Sequence, residues 1–183
     1  MFRRLMSFIF RSKTKCTGLS CGVIDNSERV INTKGHPVLE YVSCVGTDKE
    51  VWICNLAIQI ANTALASKEF NSDLMKDPMT STNGLTNQGV FEKISQFVMP
   101  VRVKFFDGSW MQRRWGTVGL DKGDGVVYAN RYFVQDEKVL ASLICHEALG
   151  HQNGFSHTSS KELTSVPYRL NRAVEACLNE GKK

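Results

Sequence analysis

Long apolar runs are missing from this 183-residue chain. The longest stretch near its start, Phe8-Ile9-Phe10, falls far short of the roughly 20 residues that cross a bilayer as a helix. Cysteine is sparse: six residues, at positions 16, 21, 44, 54, 145 and 177, are too few for a disulfide scaffold, and no C-x-x-C pair marks a zinc knuckle. No segment repeats another. With 42% apolar and 22% charged residues the chain is neither disordered nor collagen-like nor a coiled coil, and its composition is that of a soluble globular protein. Excess charge is also absent from most of it. Arg3, Arg4, Arg11, Lys13 and Lys15 precede the first acid, Asp25, and without these five the remaining 18 basic residues face 18 acidic ones. The net charge of +5 therefore belongs to the leader, and no basic patch on the body announces nucleic acid.

What is present fits one domain able to bury about two-thirds of its unfolded surface. Residues 1–36 read as a basic tail and irregular segment, and residues 37–183 as the folded unit. The apolar stretch of the leader, residues 5–10, is shorter than a secretory core. A truncated signal, a membrane-surface segment and a solvated tail all fit it, so the compartment stays open. Residues 37–45 alternate as a strand should. Thr47 and Glu50 have capping-box spacing ahead of VWICNLAIQIANTALA, where Trp52, Leu56 and Ile60 and also Ile53, Ala57, Ala61 and Ala64 recur at helical intervals. This predicts a largely buried helix. Residues 71–90, polar and rich in Gly and Asn, read as a long loop. Strands are expected over 97–106 and 125–134, a turn-rich stretch between them, a helix capped by Asp136 running to about 150, and a last helix over 169–179. The order points to an α+β fold with a small twisted sheet packed on two helices.

Three of the four histidines fall in one short stretch, HEALGHQNGFSH, at 146, 151 and 157. Imidazole is a common ligand for zinc and its neighbours, so clustering of this residue type points to a divalent metal. In H-x-x-G-x-x-H, His151 ends the helix, Gly154 permits a left-handed turn, and His157 returns towards the same point.

The stretch resembles the zinc-binding signature of metzincin peptidases, H-E-x-x-H-x-x-G-x-x-H. The resemblance implies a compact zincin-like catalytic domain with Zn2+ held by His146, His151 and His157. It also implies Glu147 as general base on a zinc-activated water whose pKa is lowered to about 7. One residue too many separates the first two histidines. On a regular helix a spacing of four sets side chains about 40° apart, and a spacing of five about 140° apart. A π-bulge near residues 148–150 would restore convergence. The form H-E-x-x-G-H is also similar to dipeptidyl peptidase III, whose third ligand is a distant glutamate, which makes Glu175 a competitor to His157. A straight helix would instead offer Glu147, His151 and His157 as ligands and leave His146 as acid or base. A fourth reading has no metal. Nitrogens sharing one ion should stand roughly 3.0–3.5 Å apart, given zinc–nitrogen bonds of about 2.0–2.1 Å.

The metzincin likeness carries further expectations. A methionine turn lies beneath the metal there; this chain has no methionine after Met111, and Val166 or Pro167 would form the floor. Tyr168 would reach the metal or the oxyanion, with a packing role as the alternative. The strand at 125–134 precedes the site helix as the substrate-pairing edge strand does in that family, and an interior strand is the alternative. Cys21 is similar in setting to the cysteine latch of matrixin pro-segments, although the neighbouring arginine and proline are missing. Cys145 reads as a core residue, Asp121 and Asp124 as a turn rather than a calcium site, and the Trp110–Arg113–Arg114–Trp115 cluster as a loop packing its tryptophans on the core.

The expected function is thus zinc-dependent hydrolysis of a peptide or protein substrate by a monomer, with no nucleic-acid partner. A metal-dependent endoribonuclease is one alternative; a bacterial family of that kind lacks the glutamate after the first histidine. A module with a purely structural metal is the other.

Overall fold

A computed structural model describes residues 30–120, 122–157 and 162–180. The order is β1 (Val38–Val45), α1 (Asp48–Leu65), α2 (Lys68–Lys76), α3 (Asn87–Ser95), β2 (Val98–Phe106), α4 (Trp110–Arg114), β3 (Gly119–Leu120), β4 (Val126–Asn130), α5 (Glu137–Ile144) and α6 (Val166–Glu180). The fold is α+β. The leader, Cys16 and Cys21 lie outside the described residues. Among the described residues no helix is long and apolar enough to cross a membrane.

The sheet runs β1-β2-β4-β3, with the first three strands parallel and β3 antiparallel at the edge. Alternation decides which face is buried: in β2, Met99, Val101, Val103 and Phe105 point into the core while Arg102 and Lys104 point to solvent. Helices α1 and α5 pack against each other beneath the buried face, and α6 packs behind α5. The outer edge of β1 is met by a side chain, since Asn62 of α1 accepts from Leu39 N at 2.8 Å and donates to Leu39 O at 2.9 Å. Residues before β1 are already tied to the sheet, because Val98 N donates to Val30 O at 2.9 Å.

The capping box at Thr47 starts α1 as its sequence predicts, with Thr47 N donating to Glu50 Oε2 at 2.6 Å. Of its two stripes, Ile53, Ala57, Ala61 and Ala64 are buried, but Trp52 is exposed, so the helix is buried on one side only.

The expected loop over 71–90 is confined to residues 77–86, because helices occupy both of its ends. Ser67 caps α2, which buries Phe70 and Leu74, and Thr86 caps α3, which buries Val90 and Ile94. Each helix has just one i, i+4 apolar pair, too few to stand out against polar neighbours. The strand at 125–134 is shorter than expected, because at Asn130 the chain turns towards α5. It is also interior, lying between β2 and β3, so the edge position belongs to β3. The tryptophans of the 107–118 segment are not part of the core: α4 buries none of its residues, and Trp115, which follows it, is exposed. Its capping box, Ser109 with Gln112, closes its first turn, while the ends of the segment are tied to the body through Asn130. Asp124 sits in a turn, where it accepts from Val126 N at 3.1 Å and Tyr128 Oη at 2.7 Å.

Candidate metal centre

Helix α5 does not simply continue. Its last residue hands over to a π-helical segment, Cys145–Gly150, followed by a single 3₁₀ turn, His151–Asn153. The His151 N–H is shared between the carbonyls of His146, five residues back, and Glu147. That widened turn absorbs the extra residue, and His146 and His151 come to one side with ring centroids 5.1 Å apart. The carbonyls loosened by the widening are met by Asn153, whose Nδ2 donates to Leu149 O at 3.1 Å and Ala148 O at 3.4 Å. Gly154, at φ +82°, then reverses the chain. Buried Phe155 anchors the return, and His157 arrives with its ring 5.0 Å from His151 and 5.4 Å from His146.

Ligand nitrogens of His146, His151 and His157 all lie within 4.8 Å of one another. That limit is looser than the 3.0–3.5 Å of a closed site. A point equidistant from three atoms at the full span would sit about 2.8 Å from each (the span over √3), so closure to zinc distances asks roughly 0.7 Å of inward movement per ring. Two of the rings are already set for coordination. His151 Nδ1 is 3.0 Å from the Phe155 carbonyl, which commits that nitrogen as donor and puts the lone pair on Nε2. His146 donates to the Pro167 carbonyl, while its Nε2 is buried without a hydrogen-bond partner. An unsatisfied buried nitrogen costs about 1–3 kcal/mol, and a cation would satisfy it. Burial, followed by the charges of His151 and His157, holds the His146 pKa well below its ordinary value, so the ring stays neutral as a ligand must. The residues therefore fit a divalent ion of the kind that imidazole binds.

The remaining sequence candidates fall as follows. Glu147 is buried at the same turn but is not one of the converging ligands, unlike its place in the straight-helix reading. Its Oε1 lies 3.2 Å from where a Cβ on Gly119 would stand, so the carboxyl borders β3. Tyr168 is buried, with its ring 4.8 Å from both His146 and His157; it forms the floor with Pro167. Glu175 is not in the converging group; it accepts from Asn171 at 3.2 Å on α6. Cys145 is fully buried and burial pushes its thiol up, as expected of a core residue.

Sequence reasoning missed the support of the site. Asn153, the Pro167 carbonyl and Gly119 act through contacts remote in sequence or through the π-turn itself. So does the segment between α2 and α3, where Asn83 donates to Gly154 O at 3.0 Å and Thr80 N to Thr164 O at 3.0 Å. The Gly150–Pro167 contact is testable. A Cβ on Gly150 would stand 2.9–3.0 Å from Pro167, a rigid ring that also carries the acceptor of His146. Gly150→Ala should therefore destabilise by about 1–3 kcal/mol and weaken metal binding as well. Denaturant unfolding and metal titration measure the two effects; wild-type values in both would mean that the contact positions nothing.

The chain matches no protein-family model, no curated protein and no solved structure.

Proposed function

We propose that the chain is a zinc-dependent peptidase in which His146, His151 and His157 hold the ion and Glu147 is the general base. The observation that carries this reading is the convergence of three imidazoles across the π-turn, with a buried carboxyl at the same turn bordering the sheet edge. The resemblance to metzincins supports it, since the insertion that departs from their signature is taken up by the widened turn. A divalent zinc supplies Lewis acidity, which acidifies water and polarises a carbonyl. The chain's own residues do the rest. Glu147 takes a proton onto a carboxylate oxygen and returns it to the leaving amine. Pro167 O and Phe155 O fix the tautomers of His146 and His151, and the Tyr168 ring braces His146 and His157, which makes Tyr168 a positioning residue. An extended peptide adds to the outer edge of β3, where backbone hydrogen bonding would align it beside Glu147.

Chelation tests the assignment. Dialysis against a chelator should abolish casein cleavage, and one equivalent of zinc should restore it. Cleavage that survives complete metal removal would end the reading, and cleavage of RNA in place of casein would favour a nuclease.

Gly119 tests the docking edge. Its Cβ position is 2.5 Å from Leu143 Cδ1 as well as beside Glu147. Gly119→Val should cut cleavage by about tenfold or more through displacement of these two side chains, with metal content unchanged. Unaltered kinetics would place the substrate elsewhere.

A further inference from the structure

Helix α4 stands apart from the economy of the fold. Trp110 is 71% exposed, Met111 50%, Trp115 42% and, across from them, Tyr132 58%. Large apolar side chains gathered in this way mark an interaction surface. The segment that bears them is firmly held at its base: Asn130, fully buried, accepts from Gly108 N at 3.3 Å and donates to Thr117 O at 2.8 Å, which clamps both ends. Guanidinium groups accompany the rings. Arg114 lies over Trp110 at 5.7 Å and Arg113 over Tyr132 at 5.5 Å. Among the described residues neither arginine makes an ion pair, whereas the neighbouring acid, Asp107, is already taken by Arg131 at 2.8 Å.

We propose that α4 and Tyr132 form a docking point for an anionic lipid surface. Charge complementarity selects the sign of the partner, since two uncompensated arginines stand among the aromatic side chains. Shape selects its class. A short helix with no buried residue offers its apolar side chains and its arginines to solvent together. A membrane surface takes both: tryptophan, tyrosine and methionine enter the boundary between headgroups and acyl chains while arginine stays with the phosphates. The rings are also poorly placed for stacking nucleobases, because Trp110 and Tyr132 each have a face next to a guanidinium. This proposal stands independently of the peptidase reading.

The experiment is co-sedimentation of the full chain with vesicles of phosphatidylcholine alone or mixed with phosphatidylserine. Binding is expected with phosphatidylserine and should weaken on adding salt. Trp110→Ser/Trp115→Ser and Arg113→Gln/Arg114→Gln should each weaken it about tenfold or more, with the circular dichroism spectrum retained. In a Trp52→Phe background, tryptophan emission should shift to the blue when vesicles are added, a readout that needs no variant in α4. The leader's five basic residues are replaced by glutamine in a parallel protein, which should keep the tryptophan-dependent part. Absence of binding, no emission shift, or binding indifferent to the α4 variants would overturn the proposal. So would tighter capture of a single-stranded oligonucleotide through the same residues.

Discussion

Glu147→Gln is expected to keep the metal and the fold while peptide cleavage falls by about 10²–10⁴-fold. The substitution replaces one carboxylate oxygen with an NH2 group of similar size in a buried position, so the place of the side chain beside Gly119 is preserved. Metal content should not change, because Glu147 lies outside the converging trio. What is lost is basicity: an amide does not accept a proton near neutral pH, whereas a carboxylate beside the reacting centre does. Zinc analysis and casein turnover on the same preparation give the answer. A variant that cleaves like wild type would exclude Glu147 as the base. A wild-type protein that binds zinc tightly and cleaves nothing would make the site a structural brace.

His146→Ala should have the opposite signature, with metal affinity falling roughly a hundredfold or more, since apparent zinc binding energies of about 10–16 kcal/mol are spread over a few ligands. The variant also decides between ligand sets. If the helix were read as straight, with Glu147, His151 and His157 as ligands, His146→Ala would retain its ion and Glu147→Gln would lose it. The widened turn predicts the reverse, because it is what brings the His146 ring to within 5.1 and 5.4 Å of its partners. Competition with a chromogenic chelator measures the affinity. Thermal unfolding of the metal-free proteins shows how much of the loss belongs to the cavity left by the ring, for which about 2–5 kcal/mol is expected.

Legibility along the chain followed the strength of local signals. Helix α1 was readable because a capping box and a long apolar stripe agree. Strand β2 was readable because its alternation has one buried face. Helices α2 and α3 were not, since Phe70 with Leu74 and Val90 with Ile94 are single apolar pairs in polar surroundings, and their stability comes from the core that they touch. Trp110, in α4, and Trp115, which follows it, misled for another reason. Composition favours burial of tryptophan, yet a self-capped helix can hold such residues outside the core.

For the site, residue identity was fixed along the chain: three histidines, a glutamate after the first of them, and a glycine able to turn the backbone. Spacing alone left four arrangements open, because one residue inserted in a helical turn rotates a ligand by about 100° unless the backbone hydrogen bonds shift register. The fold shifts that register and brings the three imidazoles together. Asn153 satisfies the displaced carbonyls, Gly150 lets Pro167 approach, and the Pro167 carbonyl turns His146 inward, although Pro167 lies 21 residues further along the chain from it. Types of ligand are local facts of sequence; their meeting at one point depends on contacts that form only when α5 and α6 pack together.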